Sequence, residues 1–407
     1  MNKKLGLAVA GAVLALSSAA QAGITIPAGD WTVDISGNVN AFYINNQSKD
    51  SNVIAGGLAN GKVEGSDRSS SINTGLLPSW LTVGAKTRQN DLDVTWAISF
   101  QPGASSKTSL GLGGGSEFRQ AYFTFGDASW GTIKIGKDLG VFGSDAILND
   151  MTLLGVGSQG AVGQAGGTTT TLGRIGTGYM YADFNGQINY TSPNFNGFKF
   201  TVGIDQPLNT LNLAGNHNAE EPGLSAASTG TGQQSPAFVG LASYSWTGDV
   251  AGKVWAEAKS QRIELADFGR KTANVYGLGA NVNAGAFGLT GYYYNGKGAG
   301  TTAFLMDGFA AENGKRRESD GYYLQATYVI PTGTKLGVSY GESKLDRASN
   351  EEVSVLVKEN RMTTIGAYHP LTKSVNLVAE YSNVRSKNHE GAKNDSDIIS
   401  LGGILFF

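Results

Sequence analysis

From Trp31 to Asn45 the chain reads WTVDISGNVNAFYIN, and apolar and polar residues alternate with a period of two. Val33, Ile35, Gly37, Val39, Ala41 and Tyr43 share one parity; Thr32, Asp34, Ser36, Asn38 and Asn40 share the other. A period of two places these sets on opposite faces of a β-strand. The run exceeds the about 5–6 residues of an ordinary soluble strand and matches the about 9–11 residues of a tilted, bilayer-crossing one. The pattern returns in DLDVTWAISF (91–100), FKFTVGIDQP (198–207), TKLGVSYGES (334–343) and SVNLVAEYSNV (374–384). Each such strand has an apolar face and a polar, partly charged one.

The connections fall into two classes. Short ones at 88–91, 193–197, 246–249, 284–287, 331–334 and 370–373 alternate with long Gly-, Ser- and Asn-rich stretches at 45–78, 102–116, 138–178, 207–235, 298–320 and 345–357. Short turns on one side of a membrane and long loops on the other are the asymmetry of a transmembrane barrel. The reading is an all-β fold: an antiparallel transmembrane β-barrel of about 16 strands, with short periplasmic turns, long outer loops and apolar faces turned outward. Aromatic residues near the strand ends, among them Trp80, Trp130, Tyr292 to Tyr294, Tyr323 and Tyr368, suit the headgroup level.

The N-terminus agrees. MNKKLGLAVAGAVLALSSAAQA has two lysines, a short apolar run and Ala20-Gln21-Ala22, the pattern of a secretory signal peptide over 1–22. Residues 23–407 then form one domain, since no composition shift marks a boundary. The chain has no cysteine, so disulfides cannot stabilise it. No later apolar run approaches the ~18 residues of a membrane helix, and the formal charge of -2 without a basic run argues against nucleic acid.

Catalytic chemistry finds no support. GVGSQG at 155–160 fits the spacing G-x-G-x-x-G, but AVGQAGGTTTT follows it and cannot sustain the helix a dinucleotide site needs. His217, His369 and His389 lack metal-ligand spacing, so no cofactor or metal is expected. The stretch 138–178 is different. It carries Asp138, Asp145 and Asp150 among Leu, Ile, Val and Phe, and long loops of this kind are usually functional. Folded inward as a constriction, its acids would face wall cations drawn from Lys86, Arg88, Arg119, Lys134 and Lys137, creating a transverse field across a water-filled gap. Arg119 shares parity with Phe123 and Phe125, which leaves its direction open.

Three segments resemble the Gram-negative general porins. EFRQAYFTFGDASWGTIKIGKD (117–138) is similar to that family's fourth-to-fifth-strand segment, NYTSPNFNGFKF (189–200) to its Tyr-x-Ser-Pro hairpin, and YHPLTKSVNLVAEYSNV (368–384) to its hairpin before the penultimate strand. The resemblance implies a trimeric outer-membrane barrel, bathed in lipid, whose third loop folds in. It implies passive diffusion of small hydrophilic solutes without turnover, Arg119 as a wall arginine and Lys137 as the basic residue opening the loop. There are departures: Trp80 stands where the family often has arginine, and Ala182-Asp183-Phe184 where another arginine is usual. With three loop acids and a depleted basic wall, weak cation preference is expected. A substrate-specific channel for an organic acid or sugar, and a non-conducting adhesion or scaffold barrel, are the alternatives.

The last residues, DIISLGGILFF, continue the alternation: Ile399, Leu401, Gly403, Leu405 and Phe407 on the outward parity, Ser400, Gly402, Ile404 and Phe406 inward. This tail is read as the closing strand, paired with the first so that no edge is left in the bilayer. By the same resemblance, Phe407 is the tag read by the barrel-insertion machinery.

Overall fold

The computed structural model describes residues 23–62, 66–104, 116–159, 170–214, 230–232 and 234–407. The leader assigned to 1–22, His217, and most of the stretches 102–116 and 207–235 lie outside the described residues. Sixteen long strands form one closed antiparallel sheet. They are β1 (Trp31–Ser48), β2 (Trp80–Gln89), β3 (Leu92–Pro102), β4 (Ser116–Asp127), β5 (Gly131–Leu139), β6 (Phe184–Thr191), β7 (Phe198–Asp205) and β8 (Ala237–Trp246). There follow β9 (Val250–Leu265), β10 (Gly269–Ala284), β11 (Phe287–Lys297), β12 (Glu318–Val329), β13 (Lys335–Leu345), β14 (Val357–Pro370), β15 (Val375–Asn388) and β16 (Lys393–Phe406). Neighbours in sequence are neighbours in the sheet, apart from short pairings by Ile24–Ala28, Arg68–Asn73 and Gly230–Thr231.

Alternation decides which face goes where. On β1, Val39 and Tyr43 are exposed while Asn38, Asn40 and Asn46 are buried. The same holds for Phe198 and Val202 on β7, and for Leu336 and Val338 on β13. The apolar parity therefore faces outward along the wall, as a barrel in lipid requires. Six long outer connections are present as expected, but the other two, 266–268 and 389–392, are tight, with Gly269 and Gly391 at positive φ.

The barrel closes at β16 and β1, with Ser396 opposite Ser48 and Phe406 opposite Asn38. One step further, Phe407 and Gly37 exchange both backbone bonds, at 3.0 and 2.8 Å. Below that point Ile24–Ala28 takes over the free edge of β1, pairing Ile24 with Ile35 through Ala28 with Trp31. Glycine is required at position 37, since a Cβ there would overlap the Trp80 carbonyl and crowd the Phe407 ring. Phe406 points inward as its parity demands, 8% exposed, and meets Trp80 edge-on with ring centroids 6.4 Å apart.

The aromatic belt is only partly as expected. Trp130, Tyr293 and Tyr381 lie outward, but Trp80, Tyr292, Tyr294, Tyr323 and Tyr368 are buried inside the barrel. Their parity is the inward one: Tyr292, Tyr323 and Tyr368 are covered by the third loop, Trp80 packs on Phe406, and Tyr294 donates to the Thr301 carbonyl at 3.5 Å. Phe142, Ile147, Met151, Leu153, Tyr179 and Met180 of that loop share a single apolar cluster with Trp255, Tyr292, Tyr323 and Tyr368 of the wall. Burying each large side chain is worth roughly 1.5–3 kcal/mol, which is ample to hold a loop inside a barrel.

Candidate functional site

The third loop leaves β5 at Gly140 and returns at β6. A short helix, α1 (Ser144–Leu148), and a 3-10 turn over Met151–Leu154 give it internal order. Asp150 caps the second element, accepting from the Thr152 N–H at 2.9 Å and from the Tyr179 hydroxyl at 3.0 Å. Side chains from the inner wall hold the loop by its backbone. Glu257 on β9 accepts the Gly143 N–H at 3.1 Å. Gln325 on β12 accepts from Met151 N–H at 2.7 Å and donates to the Asn149 carbonyl at 3.0 Å. Glu380 on β15 accepts the Val156 and Gly157 N–H groups at 2.7 and 2.9 Å, with its other oxygen on the Tyr368 hydroxyl at 2.6 Å. From the loop side, the fully buried Arg174 donates to the Met362 carbonyl at 3.0 Å and to the Ser339 hydroxyl. The loop is thus seated on the wall from β9 to β15.

A second segment joins it. Residues 74–79 run inside β1, where Asn40 accepts from the Gly75 N–H at 2.9 Å and Asn38 donates to the Pro78 carbonyl at 2.9 Å. Leu76 donates to the Gly155 carbonyl at 2.9 Å, so the first and third loops meet within the lumen.

The opposite wall, from β2 to β6, is left with inward side chains of another kind. Cross-strand register sets Thr82, Ser99 and Gln120 in one row and Lys86, Thr95, Thr124, Lys134 and Asn189 in a lower one. An aromatic wall under the loop therefore faces a hydrophilic wall.

The eight charged residues singled out from the sequence are distributed as follows. Asp138 is on β5 and not in the loop; it is buried, accepts from Gln120 at 2.9 Å and is ion-paired with Lys134. Asp145 is on α1 and pairs with Lys253 of β9 at 2.5 Å. Asp150 is spent on its turn. Lys86 pairs with Asp34 at 3.2 Å, and Arg88 bridges Asp93 and Asp127 at 2.8 and 2.9 Å beside the short turn after β2. Lys137 shares the outward parity of Ile133 and Ile135, is exposed, and donates to the Phe118 carbonyl at 2.8 Å, so it does not open the loop into the lumen. Arg119 sits where the β3–β4 register slips between Ser99 and Gln101. At the bulge the Arg119 guanidinium pairs with Glu117 at 2.8 Å over the Phe184 ring and lies 3.5 Å from the Tyr181 hydroxyl of the third loop, beside Gln120 on the inward parity. Among the described residues, no row of free loop acids confronts a row of free wall bases. Lys253, Glu257, Gln325 and Glu380 were missed. Glu380 shares the polar parity of Asn376 and Ser382, but two of its three partners are backbone groups that carry no sequence signature.

A family model described as Gram-negative porin matches residues 6–389. No curated protein matches the chain significantly. Among solved structures, the outer membrane channel DcaP of Acinetobacter baumannii is 15% identical with a TM-score of 0.67, covering 95% of this chain and 100% of its own. The anion-selective porin from Comamonas acidovorans is 16% identical with a TM-score of 0.60, covering 93% and 100%. Salmonella typhi OmpF in complex with daunomycin is 13% identical with a TM-score of 0.58, covering 94% and 100%. At such identities the likeness concerns the fold.

Proposed function

Because the chain belongs to the Gram-negative porin family, whose members are outer-membrane solute channels, we propose that it is a passive diffusion channel for small hydrophilic solutes and ions. The observation that carries this reading is the division of the inner wall. One half holds the third loop through Glu257, Gln325 and Glu380, and the other presents two polar rows of Thr, Ser, Gln, Asn and Lys with Gly84, Ala97, Tyr122 and Gly136 between them. Every charged wall residue singled out from the sequence has a partner close by, so charge selectivity is weak and is set where the loop meets the wall. Diffusion through such a slot involves no binding step strong enough to saturate.

In liposome-swelling assays with sugars of graded size, flux should rise linearly with concentration and fall off steeply with solute size. Saturable flux of one solute would instead favour a substrate-specific channel, and no flux at all a scaffold barrel. A homotrimer is the assembly this reading takes, with one strip of the apolar outer wall buried between protomers.

The C-terminal residue belongs to assembly and not to permeation. Deleting Phe407 removes both backbone bonds to Gly37 at the seam. Heat-modifiable, membrane-inserted protein is expected to fall by more than tenfold, on the scale of losing two hydrogen bonds of about 1 kcal/mol each. Channels that do form should keep their unit conductance. Unchanged insertion yield would refute the assignment of Phe407 to the insertion machinery.

A further inference from the structure

We infer that the outward face of β14–β16, just above the apolar band, is a docking surface for the phosphate groups of outer-leaflet lipid. It lies on the opposite side of the wall from the lumen and does not depend on what the lumen conducts. Cross-strand register sets Arg361 directly opposite Arg385, and Lys387 directly opposite Lys393. Arg385 and Lys387 are two residues apart on β15, so both pairs share one face and adjoin each other. Like charges directly opposite in a sheet are destabilising, and here two such pairs are stacked. Neighbouring strands lie about 4.8 Å apart, which brings all of these cations within reach of a single anionic headgroup. Guanidinium groups bind phosphate oxygens in bidentate fashion, and a bound phosphate offsets the repulsion.

The arginines share the parity of Ile365, Tyr381 and Ile399, which are exposed on the lipid side. Thr363 and Asn383 stand between that apolar level and the arginines. The Tyr381 hydroxyl donates to Asp397 at 2.8 Å and the Tyr340 hydroxyl to Glu342 at 3.2 Å, so both rings carry an apolar body and a polar tip at the boundary. The arginines are therefore at headgroup level, on the side of the long outer connections. Acids are present but set back. Arg361, Arg385 and Lys393 keep 35%, 34% and 55% of their side chains exposed, against 20% for Glu359 and 6% for Asp395. Arg361 is only loosely paired with Glu359, at 3.9 Å, and Asp395 is shared by Arg385 and Lys393. Glu342, registered opposite Arg361, is taken by Lys344 at 2.5 Å. Lys387 is exposed and has no ion pair among the described residues. A lipid phosphate meets both the cations and the apolar residues below them; a free anion meets only the first.

The test is native mass spectrometry of the purified full-length protein in a neutral detergent. Dioleoyl phosphatidic acid is the probe, dioleoylglycerol the same lipid without its phosphate, and inorganic phosphate the competitor. The wild type should retain phosphatidic acid in preference to dioleoylglycerol, and excess inorganic phosphate should not displace it. Arg361→Gln combined with Arg385→Gln should weaken retention by about tenfold or more, the scale of losing two charge-assisted hydrogen bonds. Glu359→Gln removes an acid from the same face and should strengthen retention, a result that misfolding does not imitate. Arg270→Gln, at the outer end of β10, should change nothing. Equal retention of the two lipids, displacement by inorganic phosphate, or a double variant that binds like wild type would overturn the assignment. So would a wild type that retains no lipid, which would point instead to a second copy of the chain against this face.

Discussion

Replacing Glu380 by alanine should loosen the third loop and turn a quiet conductance into one with strong open-channel noise. The carboxylate satisfies the Val156 and Gly157 N–H groups and the Tyr368 hydroxyl at once. Alanine leaves three donors inside the barrel without an acceptor, each costing about 1–3 kcal/mol. The fit is close: a Cβ on Gly155 would overlap the Glu380 carboxylate, so the loop passes this point only as bare backbone. Gln325 and Glu257 still hold the earlier part of the loop, so the helix α1 stays seated and the loosened part is the tip. Single-channel records of Glu380→Ala should show fluctuation between levels, with insertion yield near that of wild type. Glu380→Gln retains one acceptor oxygen for the two N–H groups and should be milder. Records of Glu380→Ala indistinguishable from wild type would mean that the apolar cluster alone fixes the loop.

This anchoring also marks the limit of what could be read from the residues alone. The strands and the inward turn of Phe406 follow from a period of two, which is local; the strand number follows from the alternation of short and long connections, and the apolar-out parity from strand length and the leader pattern. Lys137 was legible in the same way, because it shares parity with Ile133 and Ile135; the family resemblance outweighed that signal. Arg119 was not legible, since the bulge that decides its direction arises from the register between β3 and β4. Asp145 and Lys253 lie 108 residues apart, and their pairing depends on where the loop lands on the far wall. Parity states which side of the wall a residue faces. It does not state which part of the circumference a loop will cover, and so the five inward aromatics looked like a belt.

Arg317→Met should open the extracellular loops while leaving the barrel folded. Arg317 and Glu351 are both buried and joined through the Arg317 Nε at 3.2 and 3.0 Å, with a further bond from Nη2. The same arginine donates to the Asp307 carbonyl at 2.8 Å, and the Asp307 carboxylate accepts the Leu213 N–H at 2.7 Å. Glu351 also accepts the Ala348 N–H at 2.9 Å. One ion pair thus ties together three outer loops. Removing one member leaves an uncompensated buried charge, at a cost of about 3–5 kcal/mol. Since about 1.4 kcal/mol is tenfold, loop opening should rise on the order of a hundredfold or more. Protease added outside intact cells should then cut within 206–236 or 346–356, with heat-modifiability of the protected core unchanged. Arg317→Met combined with Glu351→Leu removes both charges and should recover most of the resistance, because an apolar pair of similar volume is tolerated where a single charge is not. Acid should mimic the single variant. Burial alone would raise the Glu351 carboxyl, but the Arg317 hydrogen bond and charge outweigh it and hold it below its usual value. Its contribution is therefore present above the ordinary glutamate range and is lost as pH falls through the depressed value. Asp307 works in the opposite sense: burial raises it against the Arg317 charge and the loop N–H bonds, so its protonation in acid relieves part of the strain. Protease sensitivity of the wild type should accordingly increase only below the usual glutamate pKa of about 4.3, and a rise already complete at neutral pH would show that Glu351 is not the group that holds the loops.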